Sequence, residues 1–471
     1  MGLLGILASL LLLIWLAYRG WSILLLAPAA ALIAAAAAGE PLLAHWTQTF
    51  MGSAARFLAQ FFPLFLLGAL FGKLMEDSGS VASISDYFTK RLGERRAILA
   101  VVLAGALVTY GGVSLFVAFF VLAPMAQAMF RAAGIPRRLM PAAIALGTST
   151  FTMSAMPGTP SIQNAIPMPF FGTTPLAAPG LGVIGSIVML GFGLWWLNRA
   201  ETAARRNGEG FGGGGEVRPN KAAEDVLTRE RVIAAPDALP PIAAAALPLI
   251  VVVSVNFLMS ALVLPRFDVS FLAEPRWGGT TLSAVGGVWA VIVALTAAIL
   301  TLLTVSGCRV PRLRASMEAG ANASVLPAVG VASLVGFGSV VAALPAFSVV
   351  RDWVLSIEGG PLASLAIATN VLSALTGSAS GGLTIALDAL GDTYLRLAHE
   401  TGVNPELMHR VAVIGSGTLD SLPHNGAVVT LLAVCGLTHR ESYFDLVMVA
   451  IVGAIVALIA VIGLGSVFGS F

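Results

Sequence analysis

The chain has 471 residues, 57% of them apolar and only 11% charged, with 26 basic and 24 acidic side chains and a formal net charge of +2. That balance provides no basic patch or aromatic-interleaved stripe for nucleic acid, and many apolar runs reach the roughly 20 residues needed to cross a bilayer. Cys308 and Cys435 are far apart and in no CxxC spacing, the five histidines form no HExxH pattern, and neither a disulfide framework, a metal site nor a cofactor is expected.

The first span, Met1–Ala17, has no basic residue ahead of it and meets its first positive charge at Arg19, the reverse of a secretory signal, so the N-terminus is expected outside. Spans follow at Trp21–Ala38 and Phe57–Leu74, then an amphipathic segment, "SISDYFTKRLGERR". Ala97–Phe130 is an apolar run interrupted by "TYGGVS" and flanked by arginines at both ends, which reads as a re-entrant hairpin whose ends stay on one side. Leu139–Met168 is broken by "GTSTFTMSAMPGTPSIQN", and Leu181–Leu197 is a plain span.

Residues 199–240 form the only long hydrophilic segment, with "NGEGFGGGGEVRPN" as a flexible cytoplasmic linker. The second half gives spans at 241–264, 282–305 and 322–349, a second hairpin at about 361–398 interrupted by "TGSASGG", a broken helix at about 406–437 containing "GSGTLDSLPHNG", and a last span at 444–467. The expected fold is therefore an all-α polytopic membrane protein. It divides into repeats at 1–198 and 241–471, each with five transmembrane helices and one re-entrant hairpin, and with its broken helix at the midplane.

A shift of 268 residues pairs Gly68 with Gly336, Gly134 with Gly402, Gly147 with Gly415, Gly158 with Gly426 and Thr150 with Thr418. Five spans per half make the repeats inverted in the membrane. Of the 26 basic residues, only Arg56, Arg266, Arg276, Arg351, Arg396 and Arg410 then fall outside, which satisfies the positive-inside rule in both halves and puts both termini on the outer side of the inner membrane. The plain spans, first, second, fifth to seventh and tenth, read as a scaffold, with the third and eighth as its arms. The hairpins and broken helices read as a mobile unit.

A backbone that leaves helical form at membrane depth must line a cavity or be packed in protein, because lipid offers no hydrogen-bond partner. Paired interruptions in two halves point to a transporter's binding site. Half-helix N-termini present unpaired N–H groups and partial positive charge, so a small organic anion fits without any arginine in the breaks. Candidate binding residues are Gly111, Gly112, Ser114, Thr148, Ser149, Thr150, Gly158, Thr159, Ser161, Asn164, Ser378, Ser380, Gly381, Gly382, Thr418 and Asn425. The competing reading is that small and hydroxylated residues only let helices pack closely.

Asp420 and His424 are titratable groups inside an apolar run, and together they are the candidate proton carriers. Structurally, His424 instead bonds a carbonyl freed by Pro423, and Asp420 caps a half-helix beginning near Leu422. Asp388 and Asp392, four apart, read as a solvated face. Ser421, His424 and Asp420 are too close in sequence for a hydrolase triad, which leaves an intramembrane enzyme as the weaker class and a carrier as the expectation.

"FPLFLLGALFGKLMEDSGSVASISDYF", "YGGVSLFVAFFVLAPMAQAMFRAAGIPRRLMPAAIALGTSTFTMSAMPGTPSIQNAIP" and "GSGTLDSLPHNGAVVTLL" together resemble the gluconate permease family of the ion transporter superfamily over nearly the whole chain. The resemblance implies proton symport of small hydroxylated carboxylates, a homodimer and elevator-type movement. Sodium-coupled relatives carry Ser-Asn-Thr at their hairpin tips, whereas "GGVS" and "SASGG" stand here, which disfavours sodium coupling; a sodium-coupled or exchange carboxylate transporter of the same architecture is the alternative. "MPGTPSIQNAIP" is similar to members carrying short hydroxy or keto acids such as 3-hydroxybutyrate.

Overall fold

The computed structural model describes residues 2–18, 21–93, 96–113, 115–212, 239–306, 310, 312–349, 352, 357, 359–423 and 425–471. Ser114, Cys308, Arg351 and His424 lie outside the described residues, as does most of the hydrophilic linker. Among the described residues all regular structure is helical, as expected. Six of these helices are long and apolar enough to cross a membrane by length and composition.

The first half contains α1 (Gly2–Tyr18), α2 (Ile23–Ala38), α3 (Leu42–Asp77), α4 (Ser80–Leu92), α5 (Ala97–Tyr110), α6 (Leu115–Ala133), α7 (Met140–Thr148), α8 (Phe151–Ser154), α9 (Ile162–Ala165), α10 (Pro167–Phe171) and α11 (Pro179–Arg206). The second contains α12 (Ile242–Leu258), α13 (Leu282–Ser306), α14 (Leu313–Ala343), α15 (Gly360–Thr376), α16 (Ala379–Thr401), α17 (Pro405–Thr418), α18 (Gly426–Cys435) and α19 (His439–Phe468). Two boundaries differ from the sequence reading. The third span begins at Leu42, because the polar-aromatic "HWTQTF" winds as a π-helical turn, His45–Phe50, within the helix. The hydrophilic segment begins later, because α11 continues to Arg206.

Helix–break–helix units stand at both expected hairpins. At 14 residues α5 is about 21 Å long, short of the roughly 30 Å hydrocarbon core, so the chain turns back inside the protein. The first turn uses Gly112 at φ +94° and the second uses Gly377 at φ +62°. Ser378 then caps α16, its Oγ accepting the Gly381 N–H at 3.1 Å. In the first broken helix, α7 stops at Thr148 and three short helices follow, with Gly158 at φ +78° after Pro157. In the second, α17 ends at Thr418 and α18 starts at Gly426.

Three of the five pairs related by the 268-residue shift do the same local work, whereas Gly336 packs on Phe50 where Gly68 meets nothing, and Gly158 has positive φ where Gly426 opens a helix. A Cβ on Gly147 would lie 2.3 Å from the Val102 carbonyl oxygen of α5, and one on Gly415 would lie 2.5 Å from Thr369 Oγ1 of α15, so each broken helix crosses its hairpin's first arm at a glycine. Thr150 Oγ1 donates to the Leu146 carbonyl and Thr418 Oγ1 to the Ile414 carbonyl, both at 2.8 Å. Gly134 and Gly402, both with positive φ, stop the second hairpin arms.

Helices associate in two groups. α3 lies along α14, α2 packs on α14 and α1 on α2, while α13 packs on α3 and α12 on α13. In the other group α5 and α6 pack on α7, α15 and α16 on α17, and α6 meets α18. α11 and α19 pair with each other and lie against α17, α7 and α8. The fifth and tenth spans therefore join the broken helices rather than the expected scaffold. Their apolar faces bury against α17 through Leu407, Val461 and Gly465, where a Cβ on Gly465 would come within 2.5 Å of Leu407.

One end of the second group is tied by arginines. Arg137 donates to the Cys435 carbonyl at 2.7 Å, satisfying the C-terminal turn of α18, and Arg138 pairs with Asp445 at 2.5 Å and with Glu209 at 2.9 Å. Trp196 Nε1 donates to the same Asp445 at 3.0 Å. At the opposite end, Gly180 N–H donates to the Phe471 carbonyl at 2.8 Å, and Glu406 accepts from the Ala178 N–H at 3.3 Å.

Candidate functional site

The two hairpin tips and the two breaks enclose one cavity. Its walls are Leu115 and Phe119 at the start of α6, Ala145, Ser149, Met153, Ser154 and Gln163 of the first broken helix, Ala379 at the second hairpin tip, and Gly417, Asp420, Ser421, Asn425 and Val428 of the second. Its volume is about 40 Å³. Gly417 lets the two broken helices meet, since a Cβ there would lie 3.1 Å from that of Ser154.

Asp420 is the acidic side chain in this wall. Asn425 Nδ2 donates to Asp420 Oδ1 at 2.7 Å and to the Gly377 carbonyl of the hairpin tip at 2.9 Å, and the Ala379 N–H also bonds the Asp420 carboxylate. Asn425 Oδ1 meanwhile accepts the N–H groups of Ala427 at 2.6 Å and Val428 at 3.4 Å. The cap of α18 is thus Asn425, and Asp420 does not cap a helix from Leu422. It reaches across to the N-terminus of α16, because α18 begins only at Gly426 and the intervening chain turns toward the hairpin.

These contacts revise the electrostatic expectation. The first N–H groups of α16 and α18 are already engaged by Ser378, Asp420 and Asn425. Carbonyls freed by the breaks are also satisfied. Pro157 O accepts from Tyr110 at 2.8 Å, Ser421 O from Tyr443 at 3.1 Å, and Pro423 O is bonded by His439 Nε2 at 2.8 Å.

Of the residues singled out from sequence, Ser149, Asp420 and Asn425 line the cavity. Gly111 and Gly112 form the first hairpin turn. Thr148, Thr150 and Thr418 are buried and donate to the carbonyl four residues earlier. Ser161 caps α9 and donates to the Met153 carbonyl at 2.9 Å, Gly158 bonds the Pro175 carbonyl, and Thr159 is fully buried beside them. Ser378 and Ser380 share a 3.3 Å contact at the second tip. Gly381 and Gly382 admit close approach, a Cβ on Gly382 falling 2.2 Å from the Ser373 nitrogen. Asp388 and Asp392 are exposed, and Asp388 accepts from Ser339 of α14.

Asn164 belongs to a buried knot that the sequence reading did not foresee. Its Oδ1 accepts from Arg410 Nη1 at 3.3 Å and lies 3.2 Å from His409 Nε2, while its Nδ2 donates to the carbonyls of Thr159 and Pro175. Arg410 also donates to the Ala177 carbonyl from Nη2 at 2.6 Å, and His409 Nδ1 meets Thr173 Oγ1 at 2.6 Å. Arg410 is fully buried, not on the outer surface to which charge counting assigned it. Carbonyls of the irregular chain 172–178 supply the acceptors that an apolar interior otherwise lacks. Ser154, Gln163 and Ser421 in the cavity wall were also not among the binding candidates, although all three fall inside the quoted breaks. Among the described residues no group of three or more His, Cys, Asp or Glu is placed to hold a metal ion.

Comparison with known proteins follows this geometry. Residues 1–468 match the model of the GntP family permease. The chain is 41% identical over 474 residues to the transporter YxjC of Bacillus subtilis, covering 98% of this chain and 99% of the relative. It is 37% identical over 71 residues to the inner membrane permease YgbN of Escherichia coli, 15% of each chain. Its fold is similar to the YdaH transporter of Alcanivorax borkumensis, with TM-score 0.51, 17% identity and coverage of 91% and 89%. It is likewise similar to Neisseria gonorrhoeae MtrF, of a class of antimetabolite efflux pumps, with TM-score 0.53, 16% identity and coverage of 91% and 85%. A match over virtually the full length, on a helical chain with broken helices converging on a polar cavity, places this protein in the GntP permease family as a multi-pass membrane transporter.

Proposed function

We propose that this transporter carries small hydroxylated or keto monocarboxylates, gluconate-like or 3-hydroxybutyrate-like, in symport with protons, and that Asp420 is the coupling group. The observation that supports this reading is the carboxylate of Asp420 in the cavity wall, bonded to the N-terminus of α16 and to Asn425. Ionised Asp420 already uses the donors that an entering carboxylate would take. Two carboxylates sharing such a site disfavour each other's ionisation, so anion and proton enter together. Ser149, Ser154, Gln163 and Ser421 offer partners for substrate hydroxyls. His424, next to Asn425 in the chain, is the second proton carrier in this scheme.

In the same proposal the group of hairpins, broken helices, α11 and α19 moves as one body against α1 to α3 and α12 to α14, the elevator-type cycle that the resemblance implies. Twenty of the 26 basic residues on one side favour the inner membrane with both termini outside, and a homodimer follows from the family likeness. Purified protein in liposomes should accumulate such an acid under an imposed inward proton gradient without sodium. Uptake that requires sodium and ignores the proton gradient would overturn the proposal. Conversion of the acid by protein in detergent would instead favour an enzyme.

A further inference from the structure

α1, α14 and both arms of the second hairpin leave a cleft between the two helix groups. Leu7 and Leu10 of α1, Phe337 of α14, Val371 of α15 and Ile385 of α16 stand in its walls, and no side chain in the lining carries a hydrogen-bonding group. Its volume is about 450 Å³.

Its depth identifies the medium around it. Val371 lies about 17 Å along α15 from the hairpin entrance at Gly360, well inside a hydrocarbon core of roughly 30 Å. At the mouth Leu7 is 47% and Val371 38% exposed, so the cleft is continuous with surface that touches the bilayer. Water has no partner in such a lining. A cavity of about 150 Å³ walled by Leu, Ile and Phe stays dry and takes up benzene, and an unfilled one forfeits dispersion contacts along its whole wall.

We infer that this cleft binds an acyl chain of a bilayer lipid, held between the second hairpin and α1 and α14. The ligand class follows from the lining and the depth: a flexible hydrocarbon tail is the one apolar molecule present at high concentration at that mouth. The walls come from both helix groups, so the bound chain forms part of their contact. This site is independent of the substrate and of the coupling ion.

The full-length protein, reconstituted with phosphatidylcholine carrying a diazirine at mid-chain, tests the inference. Photolabelling should be several-fold stronger on the peptides holding Leu7 and Val371 than on the lipid-facing Ile187 of α11, which is 63% exposed. Val371→Trp, which fills the cleft from its mouth, should reduce labelling there to the Ile187 level while the melting temperature stays unchanged. Should that variant not fold, Leu7→Trp fills the cleft from the other wall. Equal labelling of all three peptides overturns the inference. Disulfides between copies of Leu7→Cys protein, with the cleft unlabelled, overturn it in favour of a contact between copies.

Discussion

The side-chain amide of Asn256 donates to the carbonyl of Gly158 at 2.9 Å, joining α12 in one helix group to the first break in the other. Asn256 is fully buried in an otherwise apolar helix, and Gly158 itself donates to the Pro175 carbonyl. Asn256→Leu leaves a buried carbonyl without its donor, at a cost of about 1–3 kcal/mol. A lower melting temperature in detergent is the expected outcome. In transport assays, crosslinks between cysteines placed on α12 and at the break should form less completely than in the parent protein. Unchanged melting and crosslinking would show that the bond holds nothing.

Arg410 connects the second broken helix to the first through Asn164 and Ala177. Removing it strands the Ala177 carbonyl in a dry interior and leaves the Asn164 oxygen to His409 alone, so Arg410→Ala should destabilise by roughly 1–3 kcal/mol. Arg410→Lys should recover little, because an ammonium lacks the planar fork that reaches both acceptors. Thermal unfolding of Arg410→Ala, Asn164→Ala and the double variant should be non-additive. Additive losses would mean that the two residues act separately.

Asp420→Asn keeps an oxygen for the Ala379 and Asn425 donors and removes ionisation. Proton-driven accumulation in liposomes should fall to background while exchange of labelled for unlabelled substrate persists, because exchange moves no net proton. His424→Ala should show the same separation. Normal accumulation by both variants would remove the pair from coupling.

Gly147 and Gly415 occupy equivalent crossings, so alanine should fail at both. Each added methyl meets atoms at 2.3 and 2.5 Å and forces a broken helix off its hairpin. Overpacking of this kind costs about 1–3 kcal/mol or more. Reduced yield of folded protein and faster proteolysis of the hairpins would register it. Gly68→Ala serves as the control, since nothing lies within 4 Å of a Cβ there.

The hairpins and breaks were legible in the sequence because their causes are local. Glycines at 112, 158 and 377 take left-handed backbone, prolines at 157 and 423 withdraw donors, and serine or asparagine caps restart the helices at 378 and 425. Asp420 was conspicuous for the same reason, as a charge with no place in lipid.

Tertiary structure alone decided the neighbours. In a bilayer the face of a helix toward lipid is as apolar as the face toward protein, so periodicity does not reveal that α11 and α19 lie on the broken helices rather than with α1 and α2. Nor does a local pattern mark Arg410. Near the start of its helix it has the sequence look of a surface charge, and it is buried only because the irregular chain at 172–178, 233 residues away at Ala177, folds its carbonyls over it.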